Sequence, residues 1–240
     1  MRGIFVTTIS MMGNKLPLIK FFTFTGNVLL PLYAFLMCYL FKQTLEGVLF
    51  ALLISAMIIE RGWKTFKTTK EHRKEEFHGD WTLAVVTGTY LTLFFFLITE
   101  FYVRVAVVST YLSILGLAIL TASFKLRFWG MAALGKQWAV HAVGVQKIKK
   151  VRLIKIGPYK YIRHPIYLGI ILEELSYPII ANAYYALIFA ALVCIPLVIV
   201  RAWTEEKTSL RRLGDQYVEY KREIGMLFPT QLLKRYRSGV

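Results

Sequence analysis

The stretch IGPYKYIRHPIYLGIILEELSYPII, residues 156–180, places a polar cluster at the entrance of an apolar segment. It begins with a Gly-Pro turn pair, and Pro165 then suits the first turn of a helix. The segment that follows is apolar enough for lipid, yet it carries Glu173 and Glu174 side by side. At the helical rise per residue they lie roughly 12–14 Å into the helix. Ionisable groups at that depth are costly in lipid and indicate a functional site by default.

The rest of the chain has the composition of a polytopic membrane protein. Of its 240 residues, 56% are hydrophobic and only 18% are charged, whereas a soluble domain carries about a quarter charged residues. The charges form islands between long apolar runs, which predicts an all-α, polytopic membrane helical bundle of about six spans. The spans are expected at residues 17–41, 44–59, 81–99, 105–124, 166–180 and 183–200.

The last two predicted spans are short for a bilayer core of about 30 Å. Pro178 and Asn182 favour a turn at Ala181-Asn182, so these spans are expected to form a tilted C-terminal helical hairpin. One long helix with a break at this point is the alternative.

The basic residues predict the orientation. If the N-terminus is cytoplasmic, only Lys42 and Arg104 of the 30 Lys and Arg residues fall on the outer side, as the positive-inside rule requires. We therefore expect an integral, multi-pass membrane protein with both termini in the cytoplasm. Topology accounts for most of the net charge of +16, so we expect membrane lipids but no nucleic acid among its partners.

Cysteine and histidine give no sign of a metal site. Cys38 and Cys194 both lie inside predicted spans, where apolar packing is their expected role. His72 and His78 lie in a charged loop at a spacing that matches no familiar ligand pattern. We expect no metal.

The polar cluster before the fifth span has the residue types of an anion and cofactor site. Arg163 and His164 stand immediately before a helix whose first N–H groups attract anions. Three tyrosines around them offer flat surfaces for a base or a cation: Tyr159, Tyr161 and Tyr167. A plain membrane-interface anchor is the alternative.

A second cluster, RAWTEEKTSLRRLGDQYVEYKREIGMLFP, follows the last predicted span at residues 201–229. Its basic residues suit an amphipathic helix on the membrane surface. The pair Glu205 and Glu206 is unusual there, because the inner boundary of a membrane protein normally gathers cations.

In this order and spacing, the two clusters resemble the isoprenylcysteine carboxyl methyltransferase family, whose superfamily also includes phospholipid N-methyltransferases. The resemblance rests on GPYKYIRHPIYLG and EEKTSLRRLGDQYVEY, with support from FWGMAALGKQW at residues 128–138. It divides the chain into N-terminal transmembrane helices, 1–124, and a catalytic methyltransferase-like region, 125–240. It implies an S-adenosyl-L-methionine site at the cytoplasmic face, capped by a C-terminal helix.

The resemblance also implies roles for residues of both clusters. His164, Tyr167 and Leu168 would contact the cofactor, with the catalytic Arg163 close by. Glu205 or Glu206 would bind the ribose or the amino group, and Tyr159 and Tyr161 suit the adenine. A bacterial branch, whose members are encoded beside type III polyketide synthases, points to Glu173 as the buried catalytic glutamate.

The helix geometry points instead to Glu174, which is seven residues after Tyr167 and so shares its face. Both glutamates are kept as catalytic candidates.

A buried glutamate favours an acceptor that must lose a proton, because a carboxylate can then serve as general base. We therefore expect O-methylation of a lipophilic, hydroxyl-bearing lipid. The alternatives are carboxyl methylation of a prenylcysteine-like acceptor and N-methylation of a phospholipid amine. An NADPH-dependent membrane reductase and a non-enzymatic membrane scaffold are the alternatives of other classes. The acceptor's identity and the oligomeric state stay open.

Overall fold

The computed structural model describes residues 25–71, 81–105, 107–135 and 152–230. Within those ranges the chain forms seven helices, with no β-sheet beyond one isolated bridge between Ile162 and Gly225. The predicted all-α class is therefore confirmed. The helices are α1 (Thr25–Phe41), α2 (Leu45–Glu71), α3 (Trp81–Val103), α4 (Thr110–Leu134), α5 (Pro165–Ala181), α6 (Tyr184–Leu213) and α7 (Asp215–Glu223).

Each predicted span corresponds to a helix, but several predicted ends are wrong. Helix α2 continues to Glu71, and α6 continues to Leu213. Helix α4 begins at Thr110 and ends at Leu134, so it is shifted towards the C-terminus relative to residues 105–124. These helices continue through charged residues because a helix forms its own backbone hydrogen bonds both inside and outside the lipid. Residues 17–24 of the first predicted span lie outside the described ranges.

Among the described residues, three helices are long and apolar enough to cross a membrane: Ala84–Val103, Thr110–Leu134 and Tyr184–Leu213. The chain is an integral membrane protein.

Exposed aromatic residues stand near both ends of these helices. In α4, Tyr111 and Trp129 are exposed, and in α6 the same is true of Tyr185 and Trp203. Each pair is about 18 residues apart, or roughly 27 Å along a helix, close to the thickness of the hydrocarbon core. Aromatic belts of this kind stand at the two membrane interfaces. We call the end of the bundle that carries Trp129 and Trp203 the motif end, and the other the far end.

At the far end, Asn182 makes the turn between α5 and α6. It has a φ of 57°, the left-handed conformation that a short polar side chain tolerates. Its Oδ1 accepts a hydrogen bond from the Ser109 N–H at 2.8 Å. The predicted hairpin is confirmed, but Pro178 takes a different part from the one expected, because it lies inside α5 rather than in the turn.

Glycines let α4 and α5 pack closely. A Cβ atom on Gly116 would lie 2.6 Å from the Ile180 side chain and 2.8 Å from the Ile180 backbone nitrogen. Nearer the motif end, the Ser123 hydroxyl donates to the Gly169 carbonyl at 2.9 Å. This contact fixes the register of α5, and therefore the position of the residues it carries.

Helix α6 is held to α3 by a buried carboxylate. Glu100 accepts hydrogen bonds from the N–H groups of Tyr185 at 2.9 Å and Ala186 at 2.7 Å. The first N–H groups of a helix have no acceptor within the helix and carry positive partial charge. Glu100 satisfies both needs where α6 begins.

Gly116→Val tests the close packing of α4 on α5. The added side chain meets backbone atoms that cannot move aside, so we expect it to destabilise the detergent-solubilised protein by about 1–3 kcal/mol. Ala122→Val is the control, since Ala122 is an exposed residue of the same helix. Thermal unfolding is the measurement, and equal midpoints for the two variants would contradict the packing described.

Candidate active site

The loop before α5 is folded tightly against the end of α4. Gly157 has a φ of 60°, a conformation that favours glycine. A Cβ atom there would lie 3.1 Å from Ala133 and 3.2 Å from the Trp129 indole nitrogen. A short 3₁₀ turn, Gly157–Lys160, follows, and α5 then begins at Pro165 as predicted.

Across this loop lies a C-terminal strap, residues 215–226, which comprises α7 and the three residues after it. The Arg163 N–H donates to the Gly225 carbonyl at 2.9 Å, and the His164 N–H donates to the Met226 carbonyl at 3.0 Å. The Tyr220 hydroxyl donates to the Tyr159 carbonyl at 2.7 Å. The two sequence clusters therefore meet, with the strap covering the loop.

Glu206 is the centre of charge between the loop and the strap. Its Oε1 accepts from Arg163 Nε at 2.8 Å and lies 3.2 Å from His164 Nε2. Its Oε2 pairs with Lys221 Nζ of the strap at 2.8 Å. The Arg163 guanidinium also donates to the carbonyls of Lys221 and Ile224. Glu206 itself is buried, so its charge is balanced by these partners rather than by water.

Glu205 faces a different group, a set of tyrosines. The Tyr167 side chain contacts both Glu205 and the buried Arg201 of α6. Burial raises the pKa of Tyr159 above its ordinary range, and the nearby Glu205 carboxylate raises it further. Burial likewise raises the pKa of Tyr217, with Glu206 as the second cause. Both hydroxyls therefore stay protonated at neutral pH.

Arg201 ties this tyrosine group to the N-terminal helices. Its Nη1 donates to Thr82 Oγ1 of α3 at 2.9 Å, and both residues are buried. The motif end is thus built from α3 as well as from the C-terminal half of the chain.

Glu173 is part of a buried polar network in the membrane interior. Its carboxylate forms an ion pair with Arg127 of α4. The hydroxyls of Tyr177 and Tyr90 donate to its Oε1 at 2.7 Å and 3.3 Å. This network joins α3, α4 and α5.

Glu174 is fully buried and lies on another side of α5. It lies beside Cys194 of α6, and Tyr167 likewise meets α6 through Arg201 and Glu205. Glu174 and Tyr167 therefore both lie on the side of α5 that meets α6, in agreement with the shared helical face expected from their seven-residue spacing.

The remaining candidates are less enclosed. Tyr161 is exposed, while Leu168 is partly buried and donates its N–H to the His164 carbonyl at 3.0 Å. Both histidines of the charged loop, His72 and His78, lie outside the described residues.

Sequence reasoning missed several residues that build this region. Arg127 was assigned to a loop because the fourth span was expected to end at residue 124. An arginine inside a membrane span usually pairs with a buried carboxylate. Had the fourth span been predicted to reach residue 127, this rule would have predicted a pair with a glutamate of α5. For Tyr90, Arg201 and Lys221 no local signal existed, because their partners come from distant parts of the chain.

Comparison with known proteins finds a family match in the C-terminal half of the chain. Residues 114–211 match the model of the isoprenylcysteine carboxyl methyltransferase family. Over this stretch, less than half of its length, the chain is similar to that family. The match spans α4 to α6, and therefore includes both buried glutamates and the pair at Glu205 and Glu206.

Curated relatives match over shorter stretches. Uncharacterized protein YpbQ of Bacillus subtilis is 33% identical over 39% of this chain and 54% of its own length. Methanethiol S-methyltransferase 1 of Bradyrhizobium diazoefficiens is 38% identical over 30% of this chain and 24% of its own. For the methanethiol S-methyltransferase of Mycobacterium tuberculosis the values are 37%, 30% and 28%. The matched region thus spans about half or less of each relative.

Among solved structures, the eukaryotic intramembrane Ras methyltransferase ICMT is similar with a TM-score of 0.47 and 18% identity. The alignment covers 92% of this chain and 96% of that one.

Glu206→Gln tests whether this carboxylate holds the strap. The amide cannot balance the charges of Arg163 and Lys221, so the strap should detach more readily, since removing one partner of a buried ion pair costs about 3–5 kcal/mol. Limited trypsin digestion, which cleaves after Lys221 and Arg222, measures this directly. We expect faster cleavage in Glu206→Gln and unchanged cleavage in Glu219→Gln, a control at an exposed glutamate of α7. Equal rates in both variants would refute the role of Glu206.

Proposed function

We propose that the protein is an S-adenosyl-L-methionine-dependent methyltransferase that acts on a lipophilic acceptor within the membrane. The observation that carries this is the meeting of the loop before α5 with the pair Glu205 and Glu206. The superfamily match covers both. The names of two relatives, both methanethiol S-methyltransferases, support the reaction class.

The groups at the motif end fit the polar parts of this cofactor. Glu205 is partly exposed among tyrosines, and its carboxylate suits an ammonium group or a ribose diol. Tyr159, Tyr161 and Tyr167 offer aromatic surfaces for an adenine. The N-terminus of α5 suits a carboxylate, since the first N–H groups of a helix are available to anions. When bound, the cofactor supplies a methyl group on a sulfonium, already activated for in-line displacement.

Arg163 and Glu206 do a different task in this proposal. Because they are engaged with each other and with the strap, we propose that they position the loop rather than touch the cofactor. His164 shares Glu206 and lies against Tyr167, with a ring-centroid distance of 5.5 Å. It would orient that tyrosine from the side of the strap.

Among the two buried glutamates, we propose Glu174 as general base and Glu173 as a positioning residue. A substrate proton arriving at Glu173 would have to displace Arg127 or one of the two tyrosine hydroxyls that donate to it. Glu174 shares with Tyr167 the side of α5 that meets α6, so it stands on the same side as the proposed cofactor contacts.

The acceptor best suited to this base is one with an acidic proton, of which a hydroxyl-bearing lipid is our proposal. Methyl transfer then forms the oxygen–carbon bond as the carbon–sulfur bond breaks, and the hydroxyl proton passes to Glu174. A lipophilic acceptor reaches such a site sideways from the bilayer. A thiol is the second candidate acceptor, since two of the relatives are named methanethiol S-methyltransferases. A thiol must also lose a proton, so it would use the same base.

Calorimetric titration of the detergent-purified protein with S-adenosylhomocysteine tests the proposed function. We expect binding, and we expect Glu205→Gln to weaken it about tenfold or more, since a hydrogen bond to a charged group contributes about 1.5–3 kcal/mol. Glu219→Gln is the matched control and should bind as the wild type does. Binding of NADPH in place of S-adenosylhomocysteine would refute the proposal and indicate a reductase.

The two glutamates are separated by their effects on turnover and pH. With a phenolic lipid or a thiol as acceptor, Glu174→Gln should lower kcat by about 10²–10⁴-fold and abolish the fall in rate at low pH, because the base is gone. Glu173→Gln should lower thermal stability through the loss of the Arg127 pair, yet keep the acidic limb of the pH profile. With a carboxylate acceptor, which needs no base, Glu174→Gln should have little effect. If the Glu174→Gln variant kept the wild-type turnover and pH profile with the phenolic and thiol acceptors, Glu174 could not be the general base.

A further inference from the structure

A cleft at the motif end adjoins the ion pairs of Glu206 described above. Its volume is about 230 Å³, and it is lined by Trp203, Glu206, Lys207, Leu210 and Lys221. We call it the Trp203 cleft. Three of its residues form one stripe of α6, because positions separated by three, four or seven residues share a helical face.

The Trp203 cleft stands at the level of the lipid headgroups. Trp203 belongs to the aromatic belt of the motif end, about 18 residues or roughly 27 Å from Tyr185 at the far end. Lys207 and Leu210 follow one and two turns later, so they lie just beyond the hydrocarbon core. Exposed side chains at this depth meet lipid headgroups.

The charges of the cleft favour an anion. Among the described residues of its lining, only Glu206 is acidic, and Arg163 and Lys221 already pair with that carboxylate. Lys207 is exposed on the cleft wall and adds a further positive charge. The cleft and the partners of its carboxylate thus carry one negative charge and three positive charges, and two of the positive charges, Lys207 and Lys221, line the cleft.

The apolar residues favour an amphiphile over a soluble anion. The Trp203 and Leu210 side chains are 55% and 41% exposed, and they flank Lys207 along the stripe. A tryptophan at the interface packs against the upper acyl chain and glycerol region of a lipid, while lysines attract its phosphate.

We propose that the Trp203 cleft binds the headgroup of an anionic phospholipid of the surrounding leaflet. The phosphate lies between Lys207 and Lys221, and the glycerol and upper acyl chains pack on Trp203 and Leu210. Since Lys221 also holds Glu206, the lipid sits directly against the ion pairs that secure the strap.

Native mass spectrometry of the detergent-solubilised full chain, mixed with equal amounts of phosphatidylglycerol and phosphatidylcholine, tests this proposal. We expect the wild type to retain phosphatidylglycerol preferentially, and Lys207→Gln to lower the fraction carrying it at least threefold. Arg212→Gln is the matched control. It removes one exposed positive charge from the same helix, nine residues after Trp203 and therefore on the opposite side.

Three results would overturn the lipid site. Equal loss in Lys207→Gln and Arg212→Gln would mean that diffuse charge attracts the lipid. Equal retention of the two lipids by the wild type would mean that there is no anionic site. Displacement of phosphatidylglycerol by glycerol phosphate at the same concentration would mean that the cleft takes a soluble anion. No cofactor is present in this experiment, so its result does not depend on the proposed methyl transfer.

Discussion

The buried carboxylate of Glu206 is the contact on which the motif end depends. Arg163 and His164 enter from the loop before α5, and Lys221 enters from the strap. Without that negative charge, two cations would face each other in a poorly hydrated space, and the strap would lose its strongest reason to lie across the loop. Backbone pairing of Arg163 with Gly225 and of His164 with Met226 then adds direction to the attraction. Charge brings the segments together, and hydrogen bonds fix their register.

A second carboxylate plays a comparable part deeper in the membrane. Glu173 and Arg127 offset each other's charge where neither could be hydrated, and Tyr90 and Tyr177 complete the carboxylate's hydrogen bonds. Such a pair contributes less to net stability than its charge suggests, because both ions are desolvated. Its clearer effect is specificity, since it permits one register of α4, α5 and α3. Adjacent residues of α5 thus face different neighbours, Glu173 towards α4 and Glu174 towards α6.

Much of this architecture was predictable because membrane helices are recognisable as long apolar runs in the sequence. The six apolar runs, the turn at Asn182 and the start of α5 at Pro165 follow from local rules of hydropathy and backbone conformation. Several helix ends were predicted wrongly, because a helix can continue past the edge of the apolar run in the sequence. Helix α4 is an example, since it continues past residue 124 and contains Arg127. The candidate site residues were named from the two motifs, whereas their partners in the structure were not. Nothing near Glu206 in the sequence marks Lys221, and nothing near Arg201 marks Thr82, because those pairings exist only once the helices have packed.

The path of the strap also bears on biogenesis. Residues 157–164 and 201–206 are synthesised before the strap, and Met226 is the last strap residue with a described hydrogen bond to the loop. Until the strap has been synthesised, the loop that carries Arg163 is uncovered and Glu206 has not yet paired with Lys221. The pairing of loop and strap therefore requires that α6 and α7 have both been synthesised. A nascent chain halted before α7 thus holds the described membrane-spanning helices but lacks the strap that covers the loop.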